Sequence, residues 1–202
     1  SIRRRQRQMC IRDRRKILPH VTETVNLTQE FFSSINDNLS RGYEFEFIRL
    51  GRFLERVDMI SRIIDCLCIT KSEKQTYDFS SMEWISLLSI LSAQDAFRKI
   101  SKGEVDRGEV INFLLKNDSF PRSLTRCLSI LRLCLESLPN NENIILKIRS
   151  LRLRFDVSNF DKFDDEKLHN FLDKCQKDLT SIDNLVELSL IHISEPTRLG
   201  FI

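Results

Sequence analysis

Apolar residues recur along this 202-residue chain at the three-four spacing of amphipathic helices. The clearest stretch is Tyr43 to Cys68. Leu50, Phe53, Val57, Ile60, Ile64 and Cys68 form one stripe there, and Phe47 and Leu54 widen it. A helix before it is predicted from about Val21 to Leu39, centred on Phe31, Phe32 and Ile35. Pro19 stands near its start and Gly42 marks the break after it. Beyond a polar loop from Thr70 to Ser80, Ser81 is the candidate N-cap of a helix running from Met82 to Ile100, which Lys102-Gly103 would stop. Asp106 is placed to cap a short helix from Gly108 to Leu115. Asn117 to Pro121 is a turn cluster. Further helices are predicted over Arg122 to Leu138, Glu142 to Phe155 and Asp164 to Glu187, the first two separated by Pro139-Asn140-Asn141. No segment alternates with the period of two that a half-buried strand needs. The expectation is an all-α fold, an antiparallel bundle of about six to seven helices.

The two ends change the charge picture. Met9-Cys10-Ile11-Arg12-Asp13 can be encoded by a DNA string whose reverse complement encodes Leu188-Ser189-Leu190-Ile191-His192 and begins Ile193. Complementary coding at two ends is the mark of an inverted tag around an insert, and the string resembles a transposase adapter used in library preparation. Residues 1–14 and 188–202 are therefore expected to be adapter-derived, and residues 15–187 to be the domain proper. Both segments, before about Arg15 and after Glu187, are also expected to pack poorly against the bundle, although Leu188 to Ile193 are apolar enough to extend the last helix by accident. The whole chain carries 32 basic and 29 acidic residues, net +3. Without the two ends the balance is 25 to 27. A basic amino terminus would suggest nucleic acid. That signal lies in the tag, so no nucleic-acid partner is expected.

No apolar run approaches the roughly 20 residues that span a bilayer, so no membrane partner is expected. With Cys10 of the tag set aside, the remaining five cysteines, Cys66, Cys68, Cys127, Cys134 and Cys175, are odd in number, have no C-x-x-C spacing and sit mostly inside apolar helical patterns. They read as free, packed thiols in a reducing, cytoplasmic setting. His20 and His169 lie far from one another and beside no cysteine, so no metal site is expected. There is no phosphate-binding glycine loop, no recognisable cofactor motif and no nucleophile with an adjoining base motif.

The candidate chemistry lies on the polar side of the Tyr43–Cys68 helix. At 100° per residue, Glu44, Arg52, Asp58 and Arg62 fall within about 60° of Glu55, opposite the apolar stripe, while Arg49 and Arg56 flank that stripe. Arg52 with Glu55, and Asp58 with Arg62, have pairing distances along a helix. One reading is a solvated, salt-bridged face. The other is a polar seam against a partner helix or ligand, with arginines that can fork onto carboxylate or phosphate. Arg122, in Phe120-Pro121-Arg122-Ser123, is a weaker candidate. His169 and Trp84 read as structural. Asp161, Asp164, Asp165 and Glu166 read as a helix amino terminus favoured by the dipole.

The string Phe47-Ile48-Arg49-Leu50-Gly51-Arg52-Phe53-Leu54-Glu55-Arg56-Val57-Asp58-Met59 resembles the signature of the bacterial alpha-E family, a helical family with a recurring Glu-Arg pair, here Glu55-Arg56. The likeness continues through Trp84, Leu87-Leu88, Ala96-Phe97-Arg98, Val110 to Leu115, Phe120 to Ser123 and His169 to Leu172. A full member is about twice this length and carries an earlier Glu-Arg helix, so the resemblance implies that this chain is the C-terminal half. Members' genes tend to lie beside those of ATP-grasp-like ligases and transglutaminase-like proteins. The resemblance thus implies an accessory or interaction module acting with such a partner in peptide or amide-bond formation or modification. The alternative is an enzyme whose site is on the Glu-Arg face, with Glu55, Arg52 and Arg56 converging in a pocket.

Overall fold

The computed structural model describes the backbone of residues 2–72, 80–101, 103 and 105–190, and the side chains of residues 17–69, 81–101, 103 and 105–188. Among the described residues there are eight α-helices and no strand: α1 (Ile2–Asn38), α2 (Tyr43–Ser72), α3 (Ser80–Ile90), α4 (Gln94–Arg98), α5 (Arg107–Lys116), α6 (Leu124–Glu136), α7 (Glu142–Val157) and α8 (Asp165–Leu190). A short 3₁₀ turn, Phe160–Lys162, precedes α8. The chain forms two compact units, Ser1–Phe45 and Glu46–Ile202.

In the first unit, α1 begins at Ile2, far ahead of the expected Val21, and Pro19 lies inside it rather than near its start. Residues 3–18 are mostly Arg, Gln, Met, Lys, Ile and Leu, all good helix formers. They carry the helix through a proline that removes one backbone bond. Whether side chains 1–14 pack against anything falls outside the described residues. Thr22, Thr24 and Thr28 return their hydroxyls to the carbonyls of Leu18, His20 and Thr24 at 2.9, 2.8 and 2.7 Å, as interior helical threonines do. Past the end of α1, Arg41 donates to Asn36 O at 2.8 Å and lies 4.0 Å from the Phe45 ring centroid.

The second unit holds one continuous apolar core. Leu50, Val57, Ile60, Ile64 and Cys68 are buried, as the stripe on α2 requires, and Phe53 packs against the cluster half-buried. Trp84, Leu87 and Leu88 of α3 join them, with Leu128 and Leu131 of α6, Ile148 and Phe155 of α7, and Leu168 and Leu172 of α8. Helices α6 and α7, and α7 and α8, are packed neighbours.

The expected helix from Met82 to Ile100 is two helices. Ser92 adopts a left-handed φ of 52°. Ala93 N–H then bonds Leu88 O at 2.7 Å, and Ser92 N–H bonds Ser89 O at 3.0 Å. This is the double closure that ends a helix at a left-handed residue. Gln94 Nε2 donates to Ile85 O at 3.2 Å and Arg122 Nη1 to Leu91 O at 3.0 Å, so the break is braced from outside. Asp106 caps α5 as expected, accepting from Gly108 N and Glu109 N at 2.8 and 3.2 Å. Helix α6 starts two residues later than expected, because the buried Ser123, not Pro121, supplies the cap to Arg126 N at 3.2 Å.

Polar ties fix the helix ends. Arg107 of α5 donates to Asp165 Oδ1 at 2.7 and 3.1 Å and to Phe163 O at 2.8 Å. Lys116 donates to Asp156 O and Ser158 O, both at 3.0 Å, at the carboxyl end of α7 where a cation is favoured. Arg152 reaches Thr125 O at 2.9 Å, Ser129 Oγ, and Asp118 Oδ2 at 2.8 Å. Of the acidic cluster, Asp164 serves the start of α8, accepting from Lys167 N at 2.7 Å, while Asp161 ties to the middle of α5, accepting from Asn112 Nδ2 at 2.5 Å.

Candidate functional site

Helix α2 presents its charged residues on two flanks of the buried stripe. On the flank toward α8, Leu54, Glu55, Asp58 and Arg62 line a shallow notch of about 150 Å³ with Leu179, Thr180 and Asp183. Arg62 Nε donates to Asp58 Oδ2 at 2.7 Å, which is the pair the spacing predicts. That hydrogen bond, with the charge of Asp58, raises the Arg62 pKa above its ordinary value. Glu55 is exposed at the rim. Three carboxylates and one guanidinium therefore face this notch, which leaves it acidic on balance.

The other flank lies toward α6. Arg49 donates to both carboxylate oxygens of Glu46, at 3.0 and 2.9 Å. Arg56 lies 4.9 Å from the Phe53 ring centroid, an attractive placement for a cation. Its charge is felt at the Cys127 thiol of α6, but burial dominates there and pushes that thiol up to about 11. Burial likewise pushes Cys134 up to about 12, with Glu46 adding to it. Arg52 is held below its ordinary value by partial burial and by the charge of Arg56. Adjacent helical residues point about 100° apart, so Glu55 and Arg56 serve opposite flanks. Arg52 and Arg56 do not line the notch that Glu55 borders.

The weaker candidates are elsewhere. Arg122 holds Leu91 O at the end of α3. Glu44 is exposed and belongs to the first unit.

One pair escaped the sequence reading. Asp65, only 8% exposed, stands one step further along the α2 row of Glu55, Asp58 and Arg62, and its Oδ1 lies 2.7 Å from His169 Nδ1 on α8. Facing a carboxylate, Nδ1 carries the proton, and Nε2 is left for the solvent side of a ring that is 40% exposed. On the wheel Asp65 lies about 80° from Glu55, just outside the 60° arc. The three-four-three spacing 55, 58, 62, 65 is the signal that would have found it. Next to it on α8, Asp173 bonds Lys177 at 2.7 Å, which lowers the aspartate's pKa.

The chain matches the model of the Alpha-E family, described as a predicted alpha-helical domain with a conserved ER motif, over residues 4–189. It belongs to the Alpha-E family. Its one Glu-Arg dipeptide is Glu55-Arg56. No curated protein and no solved structure matches the chain. The all-helical fold expected from the periodicity is present among the described residues. Among the described residues no helix is long and apolar enough to cross a membrane.

Proposed function

We propose that this Alpha-E chain is a helical accessory module that docks on an ATP-grasp-like ligase or transglutaminase-like protein and supports peptide or amide-bond formation or modification. One observation carries the docking reading: the charged row Glu55, Asp58, Arg62 is displayed at an exposed rim over a notch of about 150 Å³. Small-molecule sites usually enclose about 300–1,000 Å³, so this face suits recognition of a protein surface better than enclosure of a substrate. The resemblance of the Glu-Arg segment to a family found beside ligase genes supports the choice of partner. An enzyme with its site here would need Arg52 and Arg56 to converge with Glu55, and neither lines the notch.

The test is affinity co-purification of the chain with the ligase-like protein encoded beside its gene. Wild type is expected to retain the partner, and Glu55→Lys combined with Arg62→Glu to lose it while keeping its helical circular dichroism. Unchanged retention by the double variant would remove this face from the docking reading.

A further inference from the structure

Helix α7 is apolar on two sides. Ile144, Ile148, Leu151 and Phe155 are buried in the core. On the opposite side Leu146, Leu153 and Val157 are 61%, 61% and 73% exposed. With Leu146 at zero on the wheel, Arg149, Leu153 and Val157 fall within an arc of about 80°. A helix that is apolar all round normally has something packed on each side. Here the second side is open.

A groove of about 360 Å³ between α6 and α7 adjoins this stripe, lined among others by Leu128, Arg132, Arg149, Arg152 and Leu153. Leu133 of α6 adds another exposed apolar side chain. Two of the groove's arginines are held within the chain, Arg132 by Glu136 and Arg152 by Asp118 and Asp156. Arg149 is exposed and makes no ion pair among the described residues. Around the groove Arg132 and Arg152 are met by Glu136, Asp118 and Asp156, which leaves Arg149 as the charge open to an occupant.

We infer that the outer face of α7, with the α6–α7 groove, is a docking surface for an acidic amphipathic helix of a partner protein. The stripe from Leu146 to Val157 is three helical turns long, the length over which a helix laid in a groove places its i, i+4, i+7 and i+11 anchors. The uncommitted Arg149 sits among those anchors and calls for a carboxylate on the occupant, where a forked bond is strongest. The uncommitted Arg149 favours an acidic occupant and disfavours a second copy, which would bring another Arg149 to the same seam. A concave groove suits a rod-like helix rather than a flat lipid surface. This surface shares no residue with the notch on α2 and α8, and it does not depend on the ligase reading.

The experiment uses the full chain and two synthetic helical peptides of about 18 residues, each with leucine anchors at this spacing, one flanked by glutamates and one by lysines. Binding is followed by fluorescence anisotropy. The glutamate peptide is expected to bind at least about tenfold more tightly than the lysine peptide. Arg149→Glu is expected to narrow or reverse that preference, and Leu153→Asp to weaken the glutamate peptide about tenfold or more. Both positions are exposed, and circular dichroism checks that the variants stay folded. No binding of the glutamate peptide, equal binding of the two peptides, or insensitivity to both variants would overturn the inference. So would dimerisation abolished by Leu153→Asp in sedimentation equilibrium, or Leu153-dependent co-sedimentation with phosphatidylglycerol vesicles, either of which assigns the face to another occupant.

Discussion

Two positions on one helix, two residues apart, give a sharp expectation. Phe155 of α7 is fully buried. Its ring centroid lies 5.1 Å from that of Phe171 and 6.1 Å from that of Phe160, and Phe163 completes the group at 5.1 Å from Phe160 and 5.7 Å from Phe171. These four rings hold the 3₁₀ turn and the start of α8 against α7. Phe155→Ala removes the ring from the cluster's edge-to-face contacts and leaves a cavity among side chains that belong to three separate elements and cannot all collapse inward. The expected cost is about 3–5 kcal/mol. For a chain of this size that corresponds to a fall in Tm of roughly 6–20 °C. Leu153→Ala, on the exposed side, is expected to stay within about 0.5 kcal/mol of wild type. Urea unfolding followed by circular dichroism at 222 nm reads both as shifts in midpoint at constant slope. A cost below about 1 kcal/mol for Phe155→Ala, or a Leu153→Ala cost equal to it, would refute the assignment of the two faces.

The other expectations follow from caps, thiols and the Asp65–His169 pair. Ser123→Ala and Asp106→Ala each remove a helix cap and should cost about 1 kcal/mol, up to about 2 for the buried Ser123, by the same unfolding assay. In a Cys10→Ser background, Cys66 should be the one thiol of the remaining five to react rapidly with an aromatic disulfide reagent at pH 8, because Cys68, Cys127, Cys134 and Cys175 are buried. Burial pushes Cys127 up to about 11 and Cys134 and Cys175 up to about 12. Unfolded thiols ionise near pH 8.5, so their contribution is whole below that pH and is lost as pH rises toward those folded values. Replacing the three by alanine should flatten the alkaline limb of a stability–pH curve. His169→Ala strands the buried Asp65 carboxylate and should cost about 1–2 kcal/mol, discounted for the exposure of the imidazole. An unchanged midpoint would show the pair to be idle.

The core was legible because burial follows periodicity. Leu50, Val57, Ile60, Ile64 and Cys68 were placed by spacing alone and are all buried. Asp106 was legible because a side-chain oxygen before an apolar run has one obvious use at a helix start. The break at Ser92 was not. It contains neither glycine nor proline, and its bracing comes from Arg122 and Gln94, which local sequence does not connect to it. The early start of α1 was missed because Pro19 was read as a helix start, while the helix formers before it carry the helix through. On α2 the wheel groups Arg52 with Glu55, Asp58 and Arg62, whereas the notch is lined by the last three without Arg52. It could not show that Thr180 and Asp183 of α8 would close the notch, since helical periodicity says which face is polar and not which helix it meets. That same gap hid His169, whose significance rests on a carboxylate 104 residues away.

The proposed protein-docking face is the charged row of α2, Glu55, Asp58 and Arg62. The most direct measurement is the affinity of the purified chain for a purified ATP-grasp-like ligase, the class of partner proposed for it, compared between wild type and Glu55→Lys/Arg62→Glu. A measurable complex is expected, weakened about tenfold or more in the double variant, equivalent to about 1.4 kcal/mol. Equal affinity for the two proteins, with both folded, would contradict it.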